Sequence, residues 1–157
     1  MTRRAAAIAI AAVGAAVLAL PVRAADFRTT AEAPTVLYDA PSAKARPQFV
    51  FGRDVPLEVL VTVEGWTKVR DVAGTIGWIA NKSLAERRVL QVRVPSAEVR
   101  AGPDDAAPIA FRASENVLLD LAEPAASPGS TSSPGWVKVR HRDGAVGFVR
   151  VSQVFGL

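Results

Sequence analysis

The sequence predicts an all-β protein built of two similar small modules, packed together behind an export signal. Three observations carry this expectation. The first is an internal repeat: Gly65-Trp66-Thr67-Lys68-Val69-Arg70, then Gly74 and Gly77-Trp78-Ile79, returns as Gly135-Trp136-Val137-Lys138-Val139-Arg140, then Gly144 and Gly147-Phe148-Val149, at a constant offset of 70 residues. A repeat of that length defines the folding unit before any local element is assigned. The second is a series of short apolar runs with period two, each bounded by Gly, Pro or Asp, which is the pattern of half-buried strands. The third is an uncharged apolar leader.

The leader comes first in the chain. Thr2-Arg3-Arg4 is basic, Ala5 to Leu20 is uncharged and almost wholly apolar, and Pro21-Val22-Arg23-Ala24 ends the run with small residues where a signal peptidase cuts. This reads as a secretory signal peptide cleaved after Ala24. The apolar run of about 16 residues is shorter than the roughly 20 needed to cross a bilayer, and no later segment is apolar enough to span. The composition has to be corrected for it. Arg3, Arg4 and Arg23 fall in the leader, leaving 16 basic against 15 acidic residues and a net charge of +1 where the full sequence has +4. That balance argues against a nucleic-acid partner. Cys is absent from the sequence, so neither a lipoprotein anchor nor disulfides support the fold, and each module depends on its core and its neighbour.

The first repeat begins near Pro34. Thr35-Val36-Leu37-Tyr38 forms a strand that turns at Asp39-Ala40-Pro41-Ser42, and Phe49-Val50-Phe51 leads to the turn Gly52-Arg53-Asp54. Val55, Leu57, Val59 and Val61 then alternate with Pro56, Glu58, Leu60 and Thr62, predicting a strand with one apolar face. Glu64-Gly65 turns into Trp66–Arg70, Asp71-Val72-Ala73-Gly74 forms a hairpin loop, and Thr75–Ile79 returns. Ala80-Asn81-Lys82-Ser83-Leu84 fits a single helical turn. Five short strands in roughly 55 residues favour a small barrel or sandwich.

The second repeat runs from Ser96. Val99, Phe111, Val117, Leu119 and Leu121 match Leu37, Phe49, Val55, Leu57 and Val59 at an offset of 62, so the later offset of 70 places an eight-residue insertion before Gly135. The inserted Pro, Ser and Gly residues, within 123–134, cannot bury a core and are expected to form a mobile exposed loop. Between the repeats, Val89, Gln91 and Arg93 alternate with Leu90, Val92 and Val94, which predicts a strand joining packed modules rather than a flexible linker. The expected organisation is a leader at 1–24, an N-terminal segment at 25–33, modules at 34–86 and 96–157, and a connecting strand at 87–95.

At these residues the chain resembles a known family. The Gly-Trp-x-Lys-Val-Arg strand and the Gly-Trp-Ile return, Gly65–Arg70 and Gly77–Ile79, are similar to bacterial SH3-like (SH3b) domains. The resemblance extends to exported proteins with two such domains, in which Arg87-Arg88-Val89-Leu90-Gln91-Val92 follows the first copy and Phe155-Gly156-Leu157 closes the second. It implies a five-stranded, partly open barrel per repeat. It also implies an aromatic groove, with Tyr38 at its start and Trp66 as the stacking residue, while Ala80 and Ser83 stand where peptide-binding members carry Pro and Tyr. In the second repeat Arg100, Trp136, Arg150 and Gln153 take the equivalent places, so only the Trp is kept. Peptide stems of the cell wall are typical ligands of wall-binding members, and Tyr38, Trp66 and Arg70 would form the contact, with Trp136 as a second candidate.

Catalytic chemistry is hard to assemble from this sequence. The single His, His141, lies between two Arg beside a hairpin turn, and a lone imidazole without an orienting partner reads as a turn residue rather than a general base. No Cys nucleophile exists and one His makes no metal-ligand set. Asp104-Asp105 follows Pro103 and reads as an ordinary turn rather than a Ca²⁺ loop. The expectation is therefore a non-catalytic exported binding module without cofactor or metal, periplasmic or secreted, recognising peptidoglycan or an envelope peptide or protein. The alternative is a structural partner that docks another envelope protein. Trp78 and Phe148, each one residue before an apolar Ile79 or Val149, are expected to point away from their own core and to pack against the other repeat or a partner.

Overall fold

The computed structural model describes residues 25–122 and 135–157. The expected leader, with its expected cleavage after Ala24, and the expected insertion at 123–134 lie outside the described residues. The chain forms β1 (Asp26–Thr30), β2 (Thr35–Tyr38), β3 (Pro47–Phe51), β4 (Pro56–Val63), β5 (Trp66–Arg70), β6 (Ile76–Ala80), a 3₁₀ turn at Asn81–Ser83 and β7 (Leu84–Ala85). The second half follows with β8 (Val89–Val92), β9 (Ser96–Arg100), β10 (Ile109–Ser114), β11 (Leu118–Leu121), β12 (Trp136–Arg140), β13 (Val146–Arg150), a 3₁₀ turn at Val151–Gln153 and β14 (Val154–Phe155). Two antiparallel sheets result, in the orders β3-β2-β6-β5-β4-β1-β7 and β10-β9-β13-β12-β11-β8-β14. The second order reproduces the first, strand for strand.

Each sheet has seven strands where five were expected. The two additional strands in each case are the one before the repeat and the two-residue strand after the 3₁₀ turn. β1, in a segment not expected to be a strand, pairs with β4 and β7, and the expected connecting strand β8 holds the same place between β11 and β14. The backbone bonds confirm the equivalence at an offset of 62: Thr30 N–H donates to Val55 O and Asp54 N–H to Thr30 O, just as Val92 N–H donates to Val117 O and Asn116 N–H to Val92 O. Asp54 and Asn116 both take positive φ, 62° and 68°, at this turn, a conformation that Asp and Asn tolerate better than most residues.

The cores are built from the matched positions. Leu37, Leu57, Val69 and Ile79 are fully buried in the first module, and Val99, Leu119, Val139 and Val149 in the second. The two cores differ at the added strand. At the 62-residue offset β8 carries the buried Leu90 and Val92 where β1 carries the part-buried Arg28 and the buried Thr30, while the equivalent Phe27 and Val89 are both buried. Thr30 compensates with hydrogen bonds, its Oγ1 donating to Gly52 O at 2.7 Å and accepting from Val55 N–H at 2.9 Å, so the buried hydroxyl is satisfied. The single apolar face expected along β4 ends early. A register shift between Val59 and Val61 breaks the period, leaving Leu57 buried but Val61 and Val63 exposed, as a bulge re-aims the side chains that follow it.

Gly77 and Gly147 permit the close approach of β2 to β6 and of β9 to β13. A Cβ at Gly77 would lie 2.6 Å from Leu37 Cγ and 2.8 Å from Tyr38 O, and one at Gly147 2.7 Å from Arg100 O.

The modules meet along β1, the start of β4 and the chain end. Phe27 and Phe155 pack edge to face with ring centroids 5.1 Å apart. Gly156 lies so close that a Cβ there would be 2.5 Å from Val89 O and 3.2 Å from Pro56 Cβ. Arg87 bridges the halves, binding Asp54 at 2.9 Å in the first and Asp120 in the second. Burial alone would lower the Arg87 pKa, but the two carboxylates outweigh it and raise it. This contact does not run through Trp78 or Phe148. Trp78 stands in register with Tyr38 and Lys68, and Phe148 with Arg100 and Lys138, so both rings share the outward face with the groove residues. Lys68 Nζ lies 5.8 Å from the Trp78 ring and Lys138 Nζ 6.0 Å from that of Phe148.

Candidate functional site

The sheet register assembles the first groove. Tyr38 ends β2 opposite Trp78 of β6, and Trp66 opens β5 opposite Ala80. The left-handed Gly65, φ 75°, turns the chain into Trp66, and Gly65 O accepts the Asn81 N–H at 3.0 Å, fixing the 3₁₀ turn beside it. The rings of Tyr38 and Trp66 meet edge to face at 5.6 Å. Together with Pro34, Val36, Ala43, Ala80, Lys82 and Ser83 they line a groove of about 540 Å³. Trp66 is part-buried and faces this groove rather than the core, which is filled by Leu37, Leu57, Val69 and Ile79.

Arg70, expected at the contact, does not reach it. It occupies the far end of β5, and four residues of strand amount to roughly 13 Å. Its guanidinium is held by Glu58 through bonds of 2.6 and 2.8 Å.

In the second module the equivalent groove is occupied by the protein itself. Trp136 is 8 % exposed, and the Arg150 guanidinium lies over its ring at 4.8 Å from the centroid. Arg150 is held there by Asp105, with Nε donating to Oδ1 at 3.2 Å and a second bond from Nη2 to Oδ2. Arg100, at the position of Tyr38, is bound to Ala107 O at 2.8 Å and to Glu98 at 2.6 Å. The loss of groove residues from this repeat was legible in the sequence. The Asp105 contribution was not, because it lies 45 residues from Arg150 in a loop that reads as a plain turn.

The remaining polar candidates serve turns. Asp104 Oδ1 accepts the Ala106 N–H at 3.1 Å. His141 Nδ1 lies 2.9 Å from Asp143, and its ring centroid is 5.9 Å from that of Phe111. The Ala145 N–H, and then His141, hold the Asp143 carboxyl below its ordinary pKa. Among the described residues no group of three or more His, Asp or Glu is placed to hold a metal ion. A cleft of about 430 Å³ between the modules is lined by Arg53, Asp54, Arg87, Asp120, His141 and Arg142, among others; its Arg87 is already paired with Asp54 and Asp120. No described helix is long and apolar enough to cross a membrane.

Two small β modules, one with an open aromatic groove, define a binding-module architecture. The family comparison agrees: the bacterial SH3 domain profile matches residues 31–86 and again 93–156, and the chain belongs to that family. Among solved structures it is similar to NlpC2 from Trichomonas vaginalis, with 17 % identity over 84 % of this chain and 48 % of that one and a TM-score of 0.35. NlpC1 from the same organism gives 16 % identity over 87 % and 47 %, with a TM-score of 0.34. An NlpC/P60 family protein from Bacillus cereus gives 13 % identity over 82 % and 55 %, with a TM-score of 0.35. The chain thus spans about half the length of the solved structures it matches. No curated protein matches it significantly.

Proposed function

We infer that this protein is a non-catalytic exported binding module, and that its first module recognises a peptide of the cell envelope, with peptidoglycan the leading candidate. The observation that carries this reading is the groove between Tyr38 and Trp66, which is open in the first module and filled in the second. A part-buried aromatic pair lining a concave site with few charges is suited to a peptide or peptide-bearing polymer. The leader at 1–24 supports a periplasmic or secreted location. The second module serves as structural support, its Trp136 covered by Arg150. Of the two equivalent grooves only the first is open among the described residues, so tight binding would come from this single site rather than from avidity.

A second reading is favoured by the exposed Val61, Val63 and Ile76 on the first sheet: the protein docks another envelope protein through an apolar face. Co-sedimentation of the purified protein with isolated peptidoglycan sacculi separates the two. Binding that is lost in a folded Trp66→Ala variant supports the groove. Failure of the wild type to sediment overturns it and leaves the docking reading, whereas undiminished binding by Trp66→Ala removes the groove and leaves wall binding through another face.

A further inference from the structure

We propose that the first groove binds a peptide segment in which a cationic side chain stands next to a carboxylate, the cation stacking on Trp66 and the carboxylate lying toward Ala43 and Lys82. This rests on the groove reading above and specifies its ligand. The observation behind it is that the second module carries such a group within its own chain. There Arg150 covers Trp136 while Asp105 holds the guanidinium.

The correspondence between the modules is set by backbone bonds. In the β2–β3 loop Asp39 N–H donates to Arg46 O and Ala45 N–H to Ser42 O; in the β9–β10 loop Ala101 N–H donates to Pro108 O and Ala107 N–H to Asp104 O, each at an offset of 62. Asp105 therefore corresponds to Ala43. After the return strand, Asn81 N–H donates to Gly65 O and Val151 N–H to Gly135 O, at an offset of 70, so Arg150 corresponds to Ala80. Both members of the ion pair become alanine in the first module, and both alanines line its groove. The space is thus of the size and position that a guanidinium and a carboxylate fill in a homologous frame, above an indole in the same register.

The charges fit this occupant. A cation over an indole face is attracted by the ring quadrupole, and Trp66 has no residue at position 80 long enough to occupy that face. Lys82, which replaces Ser152, is exposed at the groove wall and has no ion-pair partner among the described residues. It supplies a positive partner for the ligand's carboxylate, so a lone cation would be a poorer ligand than a cation–carboxylate pair.

The test uses two blocked peptides, one carrying adjacent Arg and Asp, the other citrulline and Asn in their place, titrated against the full protein by tryptophan fluorescence. The charged peptide should bind about tenfold more tightly or better, a difference within reach of a partly desolvated cation–π contact. Ala43→Asp/Ala80→Arg, which installs the second module's pair in the first, should abolish binding. Asp105→Ala/Arg150→Ala should uncover Trp136 and add a second, weaker site for the charged peptide, weaker because Arg100 and Ser152 stand there in place of Tyr38 and Lys82, an arm that remains informative should the first variant fail to fold. Equal binding of the two peptides, or no binding of the charged one, overturns the proposal. Its failure is distinguishable from that of the groove reading. Sacculus binding blocked by Ala43→Asp/Ala80→Arg but not competed by the charged peptide removes only the ligand class, whereas sacculus binding unaffected by that variant removes the groove itself.

Discussion

The two modules share strand order, turn geometry and a matched core, yet treat the same tryptophan in opposite ways. In the first, Trp66 meets Tyr38 at the edge of an open groove, with Ala43 and Ala80 leaving the space free. In the second, Trp136 lies under Arg150, which Asp105 holds, and Arg100 replaces the tyrosine. Duplication relaxes the demand that both copies bind, so one copy can fill its groove with its own side chains. The ion pair that does so is half exposed, with side-chain exposures of 43 % and 65 %, and exposed pairs of this kind contribute about 1 kcal/mol or less. Its main consequence is occupancy of the site rather than stability.

The comparison can be broken or sharpened at several levels. The largest expected effect is in the cores, where the modules should behave alike. Leu57→Ala and Leu119→Ala each remove a fully buried leucine and should each destabilise by about 2–5 kcal/mol, read by denaturant unfolding. Because Phe27–Phe155 and Arg87 join the halves, each variant should retain one transition; a second, unshifted transition would show the modules melting separately. Gly77→Ala comes next, at about 1–3 kcal/mol, since its Cβ would press on Leu37 and the Tyr38 carbonyl. It should also weaken ligand binding by displacing Tyr38, an effect that Gly147→Ala should lack. Arg87→Ala should cost about 1 kcal/mol or less, as a half-exposed residue bridging Asp54 and Asp120, with an effect on the coupling of the two modules visible in calorimetry.

The smallest effect is specific to the second module. The Asp143 carboxyl has a depressed pKa in the folded protein, held by the Ala145 N–H and His141. A depressed pKa stabilises the fold above the ordinary aspartate pKa, and that contribution is lost as the pH falls through the folded value. Asp143→Ala should therefore leave stability less dependent on pH in the acid range, with a slight loss near neutrality, as followed by thermal melting between acid and neutral pH.

The fold was largely legible because the repeat supplies two independent readings of each strand. Gly65-Trp66 and Gly135-Trp136, with the alternation that follows, located β5 and β12, and the 62-residue offset located the buried Leu37, Leu57, Val99 and Leu119. β1 escaped notice because Asp26, Arg28, Thr29 and Thr30 carry no apolar period; Phe27 packs on Phe155, and the buried Thr30 hydroxyl is satisfied by Gly52 O. The end of the apolar face along β4 was hidden for a different reason, a bulge, which keeps the sequence period while changing what it faces. At the candidate site, the proximity of Tyr38 and Trp66 was legible from the family motif. Arg70 was misplaced because a motif gives neighbours in sequence, while a strand carries its far end roughly 13 Å away. The Asp105–Arg150 cover over Trp136 depends on a contact between two loops, which no local pattern encodes.

The asymmetry of the two grooves is tested most directly by solute quenching of tryptophan fluorescence in variants that keep a single indole, Trp66 or Trp136, with the other two tryptophans replaced by Phe. Trp66 should be quenched substantially more by acrylamide than Trp136, and Asp105→Ala/Arg150→Ala should raise Trp136 toward the Trp66 value. Equal quenching of the two, unchanged when the ion pair is removed, would contradict the account of one open and one self-filled groove.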